Sequence, residues 1–169
     1  NKMIMMMVFL LHVLFFLSTD ASPVVFVQSS MIRVMPATLP PPSPQLAASI
    51  SLAGNEHESF QIALRETSNN ATFAVTASPL AATGDATTAA TEALPPPKCG
   101  PVALMWVSAI LGNAQGGPGW WPEIVLDDSR AFAVAGSTTS LWCTAFAPSG
   151  TPAGTYRGTV TLTPTSALT

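Results

Sequence analysis

Three small groups of residues carry side chains that could do chemistry. Glu56-His57-Glu58 places two carboxylates around an imidazole; Glu123, Asp127 and Asp128 follow the indoles of Trp120 and Trp121; Cys99 and Cys143 are the two cysteines. The first group could hold a metal or share a proton. In a strand, however, Glu56 and Glu58 project to one face and His57 to the other. Glu-His-Glu in adjacent positions is not a zinc-ligand spacing, and no second His or Cys cluster accompanies it. The expectation is a solvated strand entrance, with one glutamate accepting a hydrogen bond from a nearby turn and no metal bound. His12 lies in the N-terminal apolar run, which leaves His57 as the one imidazole of the remainder. A Cys–His pair is therefore unsupported, and the sequence contains no Gly-x-Ser-x-Gly or phosphate-cradling loop. No catalytic residue and no cofactor is expected.

Trp120 and Trp121, with Trp106 upstream, admit two readings. An indole face suits the apolar side of a sugar ring, so they could bind a glycan. They could equally pin an irregular loop to the edge of the fold. Glu123, Asp127 and Asp128 would serve a glycosidase only as a carboxylate pair facing across a cleft, and surface acids are the default. Cys99 and Cys143 permit one disulfide in a secreted chain. A buried free thiol is the rival reading, because Cys143 shares strand parity with Leu141 and Ala145. Asn70-Ala71-Thr72 fits the N-glycosylation sequon, which has meaning only in a eukaryotic secretory pathway.

These residues need elements to position them, and the composition says which kind. The 169 residues suit one domain with short extras. Charged residues make up only 9%, against roughly 25% in ordinary globular proteins. Six Lys and Arg against nine Asp and Glu leave no basic stripe for a phosphate backbone, which excludes nucleic acid as a partner. Lys2, the apolar run Met3–Leu17 and small residues at Thr19 and Ala21 have the layout of a secretory signal peptide spanning 1–21. The expected location is thus extracellular, or periplasmic or cell-surface in a bacterium. No membrane association is expected after cleavage; an uncleaved membrane anchor is the alternative reading of the same run.

The rest alternates with period two. Val24–Gln28, Phe60-Ile62-Leu64, Phe73-Val75, Val102-Leu104-Trp106, Leu141–Ala147 and Thr155–Thr163 read as strands, the last with threonines on its wet face. Met31–Val34 continues the first strand or forms a short second one. Pro36–Pro44 and Ser78–Pro97 read as loops, the latter with Gly84-Asp85 at its tip. Pro148–Gly154 joins the last two strands. The fold expected is an all-β, Ig-like or jelly-roll antiparallel sandwich over residues 23–165, with 166–169 beginning a linker or marking a truncation.

Gly54-NEHESFQIAL-Leu64, Trp120-WPEIVL-Leu126 and Gly136-STTSLWCTAFAPSGTPAGTYRGTVTLT-Thr163, in that order, resemble the N-terminal β-sandwich domain of glycoside hydrolase family 123-like proteins. The resemblance covers about Val24 to Thr163. It marks Asn55, Glu56, Glu58, Phe60, Gln61, Trp142, Pro152, Gly154, Tyr156 and Gly158 as framework residues. Glu123-Ile124 departs from the usual Asp-Pro, and Cys143 and Ala147 replace β-branched residues. In the resembling enzymes a C-terminal (β/α)-barrel carries the catalytic carboxylate and acts on N-acetylhexosamine glycosides. The resemblance therefore implies a non-catalytic accessory domain whose partner is such a barrel. A free-standing carbohydrate-binding module and an extracellular structural or adhesion module are the alternatives.

Overall fold

The computed structural model describes residues 23–66, 69–83, 93–107 and 119–168. The expected signal peptide, the Gly84-Asp85 tip and the Gly112–Pro118 stretch lie outside the described residues. Among the described residues there are ten strands and no helix. They are β1 (Val24–Ser29), β2 (Glu56–Arg65), β3 (Asn70–Ala77), β4 (Ala81–Thr83), β5 (Lys98–Val107), β6 (Gly119–Val125), β7 (Arg130–Ala133), β8 (Thr138–Ala147), β9 (Thr155–Arg157) and β10 (Val160–Leu168). All pair antiparallel, in a five-stranded sheet ordered β1-β2-β8-β5-β6, a three-stranded sheet β10-β3-β7 and the pair β4-β9.

The two larger sheets meet through the residues that the alternation marks as inward. Ile62 and Leu141, opposite each other across β2 and β8, pack with Leu64 against Phe73 and Val75 of β3 and Ala133 of β7. Each fully buried Leu or Phe contributes roughly 1.5–3 kcal/mol relative to an exposed one. Val160 and Leu162 of β10 pack against this core half-buried, while Thr161 and Thr163 stay exposed.

The other face of the five-stranded sheet is covered by the chain between β1 and β2. Phe26 and Ala63, register partners, are sealed by Val34, which sits in a loop rather than in a strand. A proline lacks an amide donor but keeps its carbonyl. Accordingly, Pro36 accepts from Thr138 N (2.9 Å) and from Arg65 Nη1 (3.2 Å), and Val27 N donates to Gln45 O at 2.7 Å. The Pro-rich run is an extended loop fastened to the sheet by its acceptors.

Three expectations change. Thr155–Thr163 is not one strand but two, β9 pairing with β4 and β10 with β3. The break falls at Gly158, where a Cβ would lie 2.6 Å from Leu80 Cδ2 and 3.0 Å from Pro79 O. Here the chain turns to bond Ser78, whose N donates to Thr159 O and whose Oγ accepts from Thr159 N, both at 2.9 Å. Consequently β8 and β10 belong to different sheets, and Pro148–Gly154 leads from β8 to β9 through Gly150 at φ +81°. The Ser78–Pro97 segment also holds β4 and a bridge between Leu80 and Leu94, so it is not loop throughout. At the C-terminal end β10 runs to Leu168, past the expected boundary at 165.

Candidate functional site: an apolar hairpin and the cleft at its base

β5 changes partners at Pro101. Lys98–Pro101 pair with β8, whereas Val102–Val107 pair only with β6, so a two-stranded ribbon continues beyond the sheet. The junction is tight. Gly100 faces Trp142 in register and lies where any Cβ would collide with the Leu126 carbonyl, and Leu126 N donates to Pro101 O at 2.9 Å. Cys99 and Cys143, opposite each other in the same register, are joined as a disulfide, with Cys143 fully buried. The free-thiol reading of Cys143 is thereby set aside.

The ribbon leaves apolar side chains uncovered. Leu104, Met105, Trp106, Trp120, Ile124 and Val125 are all exposed, and no charged residue occurs in Val102–Val107 or Gly119–Pro122. Contiguous exposed apolar surface marks an interaction site more often than chance.

The three tryptophans divide between two places on the hairpin. Trp120 and Trp121 lie in β6, not in an irregular loop, and consecutive strand residues diverge. Trp106 and Trp120 stand opposite each other with ring centroids 5.6 Å apart and planes inclined at 69°. Trp121 is turned away from them and carries the Arg33 guanidinium 5.1 Å above its ring centroid; its own Nε1 is buried without a partner among the described residues. A register shift between Ala103 and Leu104 leaves Glu123 as the extra residue on β6, which re-aims its carboxylate to 3.7 Å from Arg33 Nη2.

A cleft of about 370 Å³ opens between the Ser30–Val34 segment and the base of the hairpin. Its lining includes Arg33, Gln61, Val102, Pro122, Glu123 and Trp142. Gln61, only 4% exposed, donates from Nε2 to Ser29 O (3.0 Å) and Ile32 O (2.7 Å) and so holds the segment in place.

The remaining candidates have structural partners. Asn55 takes φ +65° and donates its N–H to Ala147 O at 2.7 Å, forming the turn into β2. Glu56 Oε2 accepts from Ala53 N, Glu58 Oε1 from Ser59 N, and His57 stacks on Phe146 at 4.3 Å. Phe60 packs against the core. Pro152 accepts from Tyr156 Oη at 2.9 Å across the bend containing Gly154. Asp128 forms a two-point ion pair with Arg130 (Oδ2–Nη2 2.7 Å), and that bond holds its carboxyl below the ordinary aspartate value of 3.8. Asn70 is exposed, and its Oδ1 accepts from Ala135 N at 2.8 Å. Among the described residues no group of three His, Cys, Asp or Glu is arranged to hold a metal ion. Arg33 was not legible as a site residue, because nothing in Met-Ile-Arg-Val signals that the loop folds onto Trp121.

No protein-family model matches the sequence, and no curated protein sequence matches it. Among solved structures the fold is similar to part of a family 123 glycoside hydrolase from Clostridium perfringens, a structure analysed for glycolipid glycan hydrolysis. The TM-score is 0.52 at 12% identity, over 66% of this chain and 19% of that enzyme. The match therefore spans about a fifth of the enzyme's length, and at that identity it speaks to the shared path of the backbone alone.

Proposed function

We propose that this chain is a secreted, non-catalytic β-sandwich that acts as an accessory domain of a glycoside-hydrolase-like protein, with the β5–β6 hairpin packing against a neighbouring catalytic barrel. The observation that carries this reading is the hairpin itself: a ribbon that leaves the sheet at Pro101 and presents apolar side chains with no cover. The backbone likeness to one region of a much longer hydrolase supports the same reading. In this role the sandwich shapes or shields the substrate cleft of the barrel, and bond cleavage belongs to the barrel. The acids nearest the aromatics fit that division of labour, since Asp128 is tied to Arg130 and Glu123 faces Arg33.

Two measurements test it. Reading the transcript beyond codon 169 should reveal a continuing barrel-length frame, and a stop codon there would contradict the accessory role. The purified chain should not cleave N-acetylhexosaminides, and turnover by the chain alone would overturn the reading.

A further inference from the structure

Three polar groups converge on the cleft with hydrogen-bonding capacity unspent among the described residues. Both Nε2 donors of Gln61 are committed to the Ser29 and Ile32 carbonyls, which fixes the amide orientation and leaves Oε1 with no described donor. Arg33 and Glu123 face each other at 3.7 Å, beyond hydrogen-bond range, and neither makes a described hydrogen bond. Beside these groups lie Trp142, Val102 and Pro122. A concave, mainly apolar surface of about 370 Å³ with a few converging polar groups is the usual composition of a small-molecule site.

We propose that this cleft binds a neutral, hydroxyl-bearing ring of monosaccharide size. One cation and one anion side by side give no net charge to attract an ion. A hydroxyl suits them, since it accepts from the guanidinium while donating to the carboxylate, and a neighbouring hydroxyl donates to Gln61 Oε1. Trp142 offers an indole to the C–H face of the ring. A zwitterionic amino acid fits less well, because its two charges must part the Arg33–Glu123 pair. This site differs from Trp106 and Trp120 and stands whether or not the sandwich serves a hydrolase.

Titration of the ¹⁵N-labelled chain with D-glucose, D-galactose and D-mannose tests the proposal, with glycine and alanine as zwitterionic controls. At least one sugar should produce saturable shifts of the Gln61 side-chain amide and the Trp142 indole N–H, with a dissociation constant on the order of millimolar. Arg33→Ala and the isosteric Glu123→Gln should each weaken binding about tenfold, and Trp120→Ala should leave it unchanged. Three outcomes would overturn the site: no saturation with any sugar, shifts confined to Trp106 and Trp120, or a response to the amino acids alone.

Discussion

Trp106 and Trp120 face each other across β5 and β6, 54% and 57% exposed, at the part of the hairpin that has left the sheet. Two indoles in edge contact gain roughly 0.5–1.5 kcal/mol from each other, yet their outer surfaces still meet water. A monomeric sandwich gains little from such an arrangement. A surface that a neighbouring domain covers gains a great deal.

The double substitution Trp106→Ser/Trp120→Ser should therefore change stability by no more than about 1.5 kcal/mol, the size of the ring–ring term. It should lower the binding of an apolar dye and any self-association of the isolated chain. Urea titration and dye fluorescence measure the two effects side by side. A large loss of stability would mean that the indoles belong to the core.

The Cys99–Cys143 bond secures the four residues of β5 that hold the hairpin to β8. Its partners are 44 residues apart, for which chain-entropy arguments give about 4 kcal/mol of stabilisation. Denaturant titration with and without reductant should show a loss of that order. Unchanged stability on reduction would remove the bond from the account.

How much of this was legible beforehand depends on side-chain size. β2 and β3 alternate large apolar with polar residues, so their inward faces could be read directly, whereas in β8 the inward Leu141, Cys143, Ala145 and Ala147 alternate with Trp142, Thr144 and Phe146, and size alone does not mark the face. β4 is Ala81-Ala82-Thr83, too small to show a period, and its pairing rests on the bend at Gly158. β6 was obscured because the extra residue at Glu123 breaks alternation just where two tryptophans and a proline precede it. The cleft draws on segments around residues 33, 61, 102, 122 and 142, which only the folded sheet and its covering loop bring together. Gln61 shows the gain from structure: its place in the Asn55–Gln61 segment marked it as framework, and its two bonds to the covering loop explain why.

Gly158→Ala should destabilise the chain by roughly 1–3 kcal/mol, the usual cost of forcing added volume into a packed site. The new methyl would press on Leu80, Pro79 and Ser78. Tyr156→Phe, which removes only the hydroxyl bonded to Pro152 O, should cost about 1 kcal/mol. Thermal unfolding of the two variants should rank them in that order.

Asp128 offers a check on local electrostatics. Its bond to Arg130 lowers the folded carboxyl below the ordinary 3.8, so the pair's contribution is present above that value and is lost as pH falls through the lower, folded one. Carboxyl ¹³C titration should place the Asp128 midpoint below 3.8, and Arg130→Ala should move it upward. A midpoint that ignores Arg130 would show that the pair does not persist in solution.

The accessory role proposed above has the β5–β6 hairpin packed against a neighbouring domain. Amide hydrogen exchange along Val102–Val107 and Gly119–Val125 tests it most directly, comparing the 169-residue chain with the full product of its gene. These amides should exchange more slowly in the full product, by about tenfold or more, with β2 and β8 unchanged. Equal exchange of the hairpin in both proteins would contradict it.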